Sequence, residues 1–529
     1  MAKRGESAPA PPAERKMGPY LYLSVFLSGG AILILEIAAS RVMAPHFGNT
    51  LYNWTSMIGV ILAALSLGYA AGGRLADRRP SFRLFFLIMV AGAGLVALIP
   101  LLRALLLPLL EGRLSLRSGP LFGGILLFAA PSVVLAALTP FAVKLAARGE
   151  ETLGAVTGNL FTWSTLGSIA GAFATGFVLI PLFGLNAIFL STAGALALAG
   201  GAGLHLSRGE AAGGGAAAGG GGSAKALPGV LLFTAAALLL GAAWAPHPPG
   251  KAGSLLFREN MYHTIRVIER DGLGNRIREI YLDYQPEGAM VVGEESALHF
   301  AYTRFLAIGP AALPGMKSAF FIGGGAFNMP KVLRIMRPEA RITVAELDPD
   351  VVSAGRDFFR LGAYPKIRVL TGDGRRLLRR TPGRWDFIVG DAYRGLRNIP
   401  AHLVTREFFA EARGRLSPEG AFFLNLISQR AGPGASLYAA VYRTMESVFP
   451  EVWVFSTDPE APHVAQNVLL FAFRERRAGR FRELMARLRA DPKLRFIAEG
   501  RVAPPSPRIY GPVLTDDYAP VENLIERGF

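Results

Sequence analysis

The sequence lacks cysteine and has few charged residues. None of its 529 residues is a cysteine, which excludes disulfides, a thiolate nucleophile and cysteine-ligated metal sites. Only 18% of the residues are charged, against about 25% in soluble globular domains, whereas 51% are hydrophobic. This composition indicates a membrane protein, or a chain of which one half is a membrane domain.

Most of the charged residues are basic. The chain has 56 Lys and Arg residues and 39 Asp and Glu residues, a formal net charge of +17. In a membrane protein, such an excess lies mostly in cytoplasmic loops and near anionic lipids. We therefore expect a lipid bilayer as a partner and do not expect nucleic acid.

Seven apolar runs approach the length of about 20 residues that a helix needs to cross a bilayer. They are Tyr20 to Met43, Trp54 to Gly72, Leu84 to Leu102, Leu121 to Leu138, Ala155 to Phe183, Leu185 to Leu204 and Leu227 to Trp244. A polar tail over residues 1–19 precedes them, and a Gly/Ala-rich segment over residues 208–226 is typical of a flexible linker. We predict a polytopic membrane domain of about seven helices over residues 20–248.

One ionisable side chain lies inside the first run. Glu36 follows four apolar residues, and a carboxyl group there needs a partner or an aqueous cavity. An ion pair with Arg41 and a contact with a transported substrate are equally compatible with this position. The basic loop Gly72 to Arg79 resembles a loop of major-facilitator transporters. A transport or sensing function therefore stays open as an alternative.

The pattern changes from about residue 249, where short β-like runs alternate with helical ones, as in parallel βαβ units. The apolar run that begins at Ala319 ends in Gly323, Gly324 and Gly325. The next predicted strand ends in Glu346, about 20 residues later, where a carboxylate binds ribose hydroxyls in nucleotide-binding folds.

Two further predicted strands also end in an acidic residue. Asp373 follows the strand that begins at Ile367, and Asp391 follows the strand that begins at Trp385. Each of these residues, taken alone, is also typical of a simple turn. Because carboxyl ends of parallel strands meet at one edge of a sheet, the ordered set predicts one ligand-binding crevice.

These motifs resemble those of the spermidine/spermine synthase family, the polyamine aminopropyltransferases. The resemblance covers roughly residues 259–429 and includes the stretch around Tyr262, the three glycines, Glu346 with Asp348, and Asp373 with Gly374. It implies a class I S-adenosylmethionine-dependent methyltransferase-like fold, Rossmann-like and doubly wound, with a small β-rich preface over about residues 255–292. The catalytic domain is predicted to span residues 249–529.

The resemblance also implies a role for each matching residue. Glu346 would bind the ribose and Asp373 the adenine of decarboxylated S-adenosylmethionine or S-adenosylmethionine, and the glycines would face its methionine-derived part. Asp391 would accept a proton from the attacking amine. The other predicted nucleotide-binding residues are Asp348, Gly374 and His299, and Tyr262 is predicted to bind the acceptor. No metal is expected.

The sequence departs from the family at two acidic positions. Where the family has an Asp directly after the glycines and a second Asp three residues after the catalytic one, this chain has Ala326 and Arg394. In the family these acids bind the ammonium groups of the diamine, so a dicationic acceptor is not expected to bind here in the usual way. Asp516, Asp517 and Tyr518 are the candidates for replacing them, and a simple terminal turn is an equal alternative.

We predict a membrane-bound enzyme that transfers an aminopropyl group to an amine or polyamine, in polyamine biosynthesis. A methyltransferase with the same nucleotide site is the alternative enzyme, with Arg394 pairing with a carboxylate of cofactor or acceptor. A polyamine transporter or sensor is the alternative from another class. Assembly into a homo-oligomer is left open.

Topology gives two conflicting expectations. Basic residues in the N-terminal tail and alternate loops predict a cytoplasmic N-terminus, so seven crossings would leave the catalytic domain outside. S-adenosyl nucleotides, however, are made in the cytoplasm. One miscounted span would remove the conflict, either in the seventh run or in Leu84 to Leu110, where Pro100 and Pro108 could interrupt the helix. We predict a cytoplasmic catalytic domain.

Overall fold

The computed structural model describes residues 12–526 except 49, 112, 116, 148–149, 208–233, 235–252, 273, 284 and 394–397. The chain divides into two compact units. The first comprises Met1–His247 with Glu259–Met261, and the second comprises Pro248–Arg258 with Tyr262–Phe529.

Within the described residues, the first unit contains six helices long and apolar enough to cross a membrane. They are α1 (Gly18–Phe47), α2 (Leu51–Arg78), α3 (Phe82–Leu110), α4 (Ser118–Ala146), α5 (Glu151–Leu182) and α6 (Leu185–Leu206). Each contains most or all of one of the first six predicted runs. The linker and the seventh predicted run lie outside the described residues apart from Thr234, whose hydroxyl donates to the carbonyl of Val90 at 2.8 Å.

Helix α3 corrects one expectation about the span count. It continues through both Pro100 and Pro108, so these prolines do not divide it into two passes. Proline removes one backbone hydrogen bond but is tolerated in apolar helices when neighbouring groups compensate.

Close packing of α1 against α5 explains why glycines occupy positions 167 and 171. A Cβ atom on Gly167 would lie 1.9 Å from the carbonyl oxygen of Phe26, and one on Gly171 would lie 2.4 Å from that of Gly30. Ser168 donates to the carbonyl of Gly29 at 3.1 Å. Small residues four positions apart thus let the two helix backbones approach closely, as in helix-packing motifs of membrane proteins.

The second unit begins with a four-stranded antiparallel sheet in the order β1-β2-β3-β4. Its strands are β1 (Ser254–Glu259), β2 (Thr264–Gly272), β3 (Asn275–Leu282) and β4 (Gln285–Val291). The register pairs Ile265 with Leu282 and Val267 with Ile280, four apolar residues of one core. This sheet is the predicted β-rich preface.

An eight-stranded sheet follows, with the order β12-β10-β11-β9-β8-β5-β6-β7. Its strands are β5 (Ser318–Ile322), β6 (Arg341–Glu346), β7 (Ile367–Thr371), β8 (Trp385–Gly390), β9 (Leu416–Ser428), β10 (Glu451–Ser456), β11 (Gln466–Phe473) and β12 (Arg501–Val502). Strands β5 to β9 run parallel, whereas β11 pairs antiparallel with both β9 and β10. Strand β12 pairs antiparallel with β10 and lies at the edge of the sheet.

Helices cover both faces of this sheet, because successive side chains of a strand point to opposite faces. On β5, Phe321 contributes to one core and Phe320 to the other. The longer helices of the unit are α7 (Asn328–Met336), α8 (Pro349–Phe358), α9 (Gly374–Arg380), α10 (Arg406–Arg415), α11 (Ser436–Glu446) and α12 (Arg480–Ala490). Apolar residues of α7, α8 and α12 belong to the first core, and those of α9, α10 and α11 to the second. The predicted class I methyltransferase-like, doubly wound fold is confirmed.

Candidate active site

The three glycines form a sharp turn at the carboxyl end of β5. Gly323 and Gly325 have φ values of 101° and 50°, which side chains other than glycine rarely adopt. A Cβ atom on Gly323 would lie 2.1 Å from the carbonyl oxygen of Asp391. The turn therefore lies directly against the end of β8, as the crevice model requires.

Glu346 ends the neighbouring strand β6 and lies on the other side of this turn. Its Oε2 atom accepts the backbone N–H of Gly324 at 2.7 Å, and its Oε1 atom accepts that of Asp348 at 2.9 Å. Burial raises the pKa of this carboxyl group, and the two backbone donors oppose that rise. Each carboxylate oxygen has a second lone pair, so Glu346 retains acceptor capacity for ribose hydroxyls.

Asp348 has a structural role at the start of α8. It is the N-cap residue, and its Oδ1 atom accepts the backbone N–H of Asp350 at 2.9 Å. Only 1% of the residue is exposed. A capping carboxylate is also favoured by the helix dipole, so this contact accounts for an acidic residue here without a ligand.

Asp373 lies after β7 and caps α9. Its Oδ1 atom accepts the backbone N–H of Arg376 at 2.8 Å, and its Oδ2 atom lies 2.8 Å from Nε2 of His402. The glycine that follows is required by close packing, because a Cβ atom on Gly374 would lie 2.4 Å from Cγ2 of Ile322. Asp373 thus lies beside the end of β5, with His402 as a neighbour that the motifs did not assign.

Asp391, at the end of β8, is held by two side-chain donors. Asn425 donates to Oδ1 at 2.8 Å, and the Tyr302 hydroxyl donates to Oδ2 at 3.2 Å. Burial raises the pKa of this carboxyl group to about 6, although both hydrogen bonds favour its ionised form. The carboxylate is therefore oriented and is mostly ionised at neutral pH.

A chain of polar groups supports this orientation. Asn467 donates to Oδ1 of Asn425 at 2.9 Å, which leaves the Asn425 amide to donate to Asp391. Tyr393 accepts the N–H of Ile427 and donates to the carbonyl of Asn425, both at 2.9 Å. Asn425 was detectable from sequence as a polar residue within the apolar strand β9, but its partner was not.

Glu287 on β4 is a further acidic residue of the site that the motifs did not identify. Its pKa is raised to about 8, first by burial and then by the charges of Asp391, Asp283 and Glu346. The backbone carbonyl oxygen of Glu287 would lie 2.7 Å from a Cβ atom on Gly325. Strand β4 therefore brings an extra carboxylate to the glycine turn.

Two other predicted site residues, Tyr262 and His299, lie in loops of the four-stranded sheet and of the segment that follows it. Tyr262 is partly buried between β1 and β2. His299 lies in the segment after β4, with its ring centroid 5.3 Å from that of Phe300. Phe300 in turn stacks on Tyr302, with centroids 6.3 Å apart, so the segment also carries the hydroxyl that contacts Asp391.

The C-terminal acidic stretch is occupied by protein contacts. Asp516 accepts two hydrogen bonds from Arg375, at 2.7 and 2.8 Å, and this arginine lowers the pKa of its carboxyl group to about 2. Thr515 and Tyr518 exchange backbone hydrogen bonds at 2.9 and 3.1 Å, which closes a turn around Asp517. Asp517 and Tyr518 are exposed, and Arg394 lies outside the described residues. This geometry matches the turn alternative.

Within the described ranges, no group of three or more His, Cys, Asp or Glu residues is arranged to bind a metal ion.

Comparison with known proteins supports the same family. No protein-family model matches the chain. A polyamine aminopropyltransferase of Vibrio vulnificus is 28% identical over 246 residues, which cover 44% of this chain and 76% of that protein. A probable polyamine aminopropyl transferase of Bifidobacterium longum is 31% identical over 140 residues, which cover 26% of this chain and 30% of that relative.

Among solved structures, a probable spermidine synthase from Corynebacterium glutamicum has 23% sequence identity and a TM-score of 0.39, with coverage of 48% of this chain and 96% of that chain. By sequence, the chain is similar to the polyamine aminopropyltransferases named above, and the resemblance seen in the motifs is confirmed.

Proposed function

We propose that this spermidine synthase-like chain is an aminopropyltransferase of polyamine biosynthesis that uses decarboxylated S-adenosylmethionine as donor. The observation that carries the proposal is that Glu346 and Asp391 flank one glycine turn. Glu346 lies within 2.7 Å of its backbone, and the backbone of Asp391 is in direct contact with it. Glu346 can thus accept hydrogen bonds from ribose hydroxyls, and Asp391 can accept a proton. Both lie at the edge of the sheet where ligands bind in such folds.

The chemistry requires little beyond orientation and one base. The amine nitrogen attacks the propyl carbon attached to the sulfonium, the new C–N bond forms as the C–S bond breaks, and the electron pair stays on sulfur in methylthioadenosine. The nitrogen loses a proton, which Asp391 accepts. A sulfonium is a good leaving group, so positioning of the two reactants and proton removal are the main contributions of the protein.

The orientation and the pKa of Asp391 suit it to this role. Its carboxylate is oriented by Asn425 and Tyr302, and its pKa of about 6 leaves it ionised at neutral pH while keeping it a stronger base than an exposed aspartate. The pKa of Tyr302 is raised well above its usual value by burial and by Asp391, so the phenol stays protonated and remains a donor.

A product assay tests the proposal. Purified full-length protein is incubated with decarboxylated S-adenosylmethionine and a panel of amines, and products are identified by mass spectrometry. We expect methylthioadenosine and an acceptor enlarged by one aminopropyl group. Methyl transfer from S-adenosylmethionine would instead identify a methyltransferase. Polyamine uptake into proteoliposomes that persists in an Asp391→Asn variant would favour the transporter.

We further propose that the enzyme is a multi-pass membrane protein with its N-terminus and catalytic domain in the cytoplasm. Six long apolar helices support the membrane attachment. A cytoplasmic catalytic domain places the site where the donor is made. Paired C-terminal reporters test this: we expect a fluorescent cytoplasmic reporter and an inactive export-dependent one, and the opposite result would place the domain outside.

A further inference from the structure

The side chain of Glu287 has no protein partner in the part of the chain that the structure describes. Its carboxylate makes no hydrogen bond or ion pair there, although the residue is only partly exposed. A buried or half-buried carboxylate is normally paired with a cation or a hydrogen-bond donor. Glu287 is therefore available to bind a ligand that carries a cationic hydrogen-bond donor.

The surroundings of Glu287 add negative charge. Asp391, Asp283 and Glu346 are close enough to raise its pKa. Within the described residues, neither Glu287, Glu346 nor Asp391 forms an ion pair with lysine or arginine. His263, whose Nδ1 atom lies 3.5 Å from Oδ2 of Asp283, offsets this negative charge in part, yet the pKa of Glu287 stays raised. Like charges destabilise one another, so a positively charged ligand would relieve the remaining repulsion.

Glu287 lies next to the position where the family resemblance predicts an acid. That position is Ala326, which is 2% exposed. A Cβ atom on Gly288, the residue after Glu287, would lie 2.5 Å from the backbone nitrogen of Ala326. The carbonyl oxygen of Glu287 has the same close relation to Gly325, at 2.7 Å. The acid on β4 and the missing acid after the glycines thus occupy adjoining backbone.

We propose that Glu287 binds a primary ammonium group of a substrate, in place of the acidic residue that Ala326 does not provide. The inference rests on the proposed function and extends it by naming a specificity residue on a different element of the fold. Two substrates carry this group: the donor, at the end of its aminopropyl arm, and the amine acceptor.

The adjacency to the glycine turn favours the donor. The turn is expected to face the methionine-derived part of the nucleotide, and the decarboxylated donor carries an ammonium group there but no carboxylate. An anionic pocket stabilises that form, whereas the carboxylate of S-adenosylmethionine would meet like charges.

Binding measurements on full-length protein test this role. Wild type and Glu287→Gln are compared by calorimetry with decarboxylated S-adenosylmethionine and with methylthioadenosine, which has the same nucleoside but no ammonium group. Glutamine keeps the shape and removes the charge. The matched control is Glu294→Gln, because Glu294 is exposed and lies just after β4.

If Glu287 binds the donor, Glu287→Gln weakens binding of decarboxylated S-adenosylmethionine about 10- to 100-fold, the usual cost of losing one charge-assisted hydrogen bond, and leaves methylthioadenosine binding unchanged. If it binds the acceptor instead, nucleotide binding is unchanged and the KM for the amine rises by a similar factor. Unchanged donor affinity together with an unchanged acceptor KM overturns the inference.

Failure of the proposed function has a different signature. If wild type binds neither nucleotide, both the function and the role of Glu287 are wrong. If Glu287→Gln also loses methylthioadenosine binding, the substitution has damaged the nucleotide site. The role of Glu287 is then tested on the wild-type protein by measuring proton release. Binding of the decarboxylated donor at pH 7 must then release a proton that methylthioadenosine binding does not release, and equal proton release overturns the role.

Discussion

The side-chain amide of Asn425 donates to Oδ1 of Asp391 at 2.8 Å. Asn425 belongs to β9 and Asp391 follows β8, and the two strands are parallel neighbours. This contact orients one oxygen of the carboxylate. The lone pairs that make no hydrogen bond remain free to accept a proton.

Asp391→Asn should abolish most of the transfer while preserving nucleotide binding. The amide has nearly the shape of the carboxylate but is not a base, so we expect kcat to fall about 10²- to 10⁴-fold. Methylthioadenosine affinity, measured by calorimetry, should stay within twofold of wild type. A variant that retained wild-type kcat would show that another group removes the proton.

The pH profile should report the ionisation of Asp391. Its pKa of about 6 means that the base is protonated below that value, so kcat/KM should fall about tenfold per unit as the pH drops below about 6. Asn425→Ala removes a donor that favours the ionised form, and the acidic limb should therefore move to higher pH.

Asn467→Ala is the control for that shift. Asn467 contacts Asn425 and not the carboxylate, so its loss should move the limb less. The assignment is wrong if the limb stays in place in Asn425→Ala.

Glu287→Gln should stabilise the protein while weakening substrate binding. The ordinary pKa of a glutamate is about 4.3, and that of Glu287 is raised to about 8 in the folded chain. Between these values the folded form keeps a proton that the unfolded chain releases, so the free energy of unfolding decreases as the pH rises.

Removing the ionisable group should flatten this dependence. The thermal midpoint of Glu287→Gln, relative to wild type, should therefore rise more at pH 8 than at pH 5, with Glu294→Gln unchanged at both. An equal gain at the two pH values would contradict the raised pKa.

Asp516→Asn should affect stability rather than acceptor binding. Its carboxylate forms an ion pair with Arg375 and accepts the hydroxyl of Thr405, so the variant leaves the nearly buried Arg375 with Glu411 as its remaining ion-pair partner. We expect a lower thermal midpoint with an unchanged KM for the amine, and no change in either for the exposed Asp517→Asn. A raised KM for the amine in Asp517→Asn would show instead that this stretch binds the acceptor.

Local patterns were sufficient for the architecture. Apolar runs of about 20 residues predict helices by composition alone, and six of them lie on helices of the structure. The strand-end positions of Gly323, Glu346, Asp373 and Asp391 also followed from sequence, because each depends only on where one strand stops. The course of α3 through Pro100 could not be read this way, since tertiary neighbours decide whether a proline interrupts a helix.

Long-range contacts decided the rest of the site. Tyr302 and Asn425 lie 89 and 34 residues from Asp391, and only the sheet order brings their donors to it. Three short helical segments and the whole of β5 separate Glu287 from Ala326, so nothing in the segment around Glu287 marks it as a site residue. Sequence by itself determined the fold and the strand-end carboxylates, because periodicity and turn chemistry are local. The folded sheet determined the partners and charge of those carboxylates, because pairing, burial and pKa depend on residues that meet only in three dimensions.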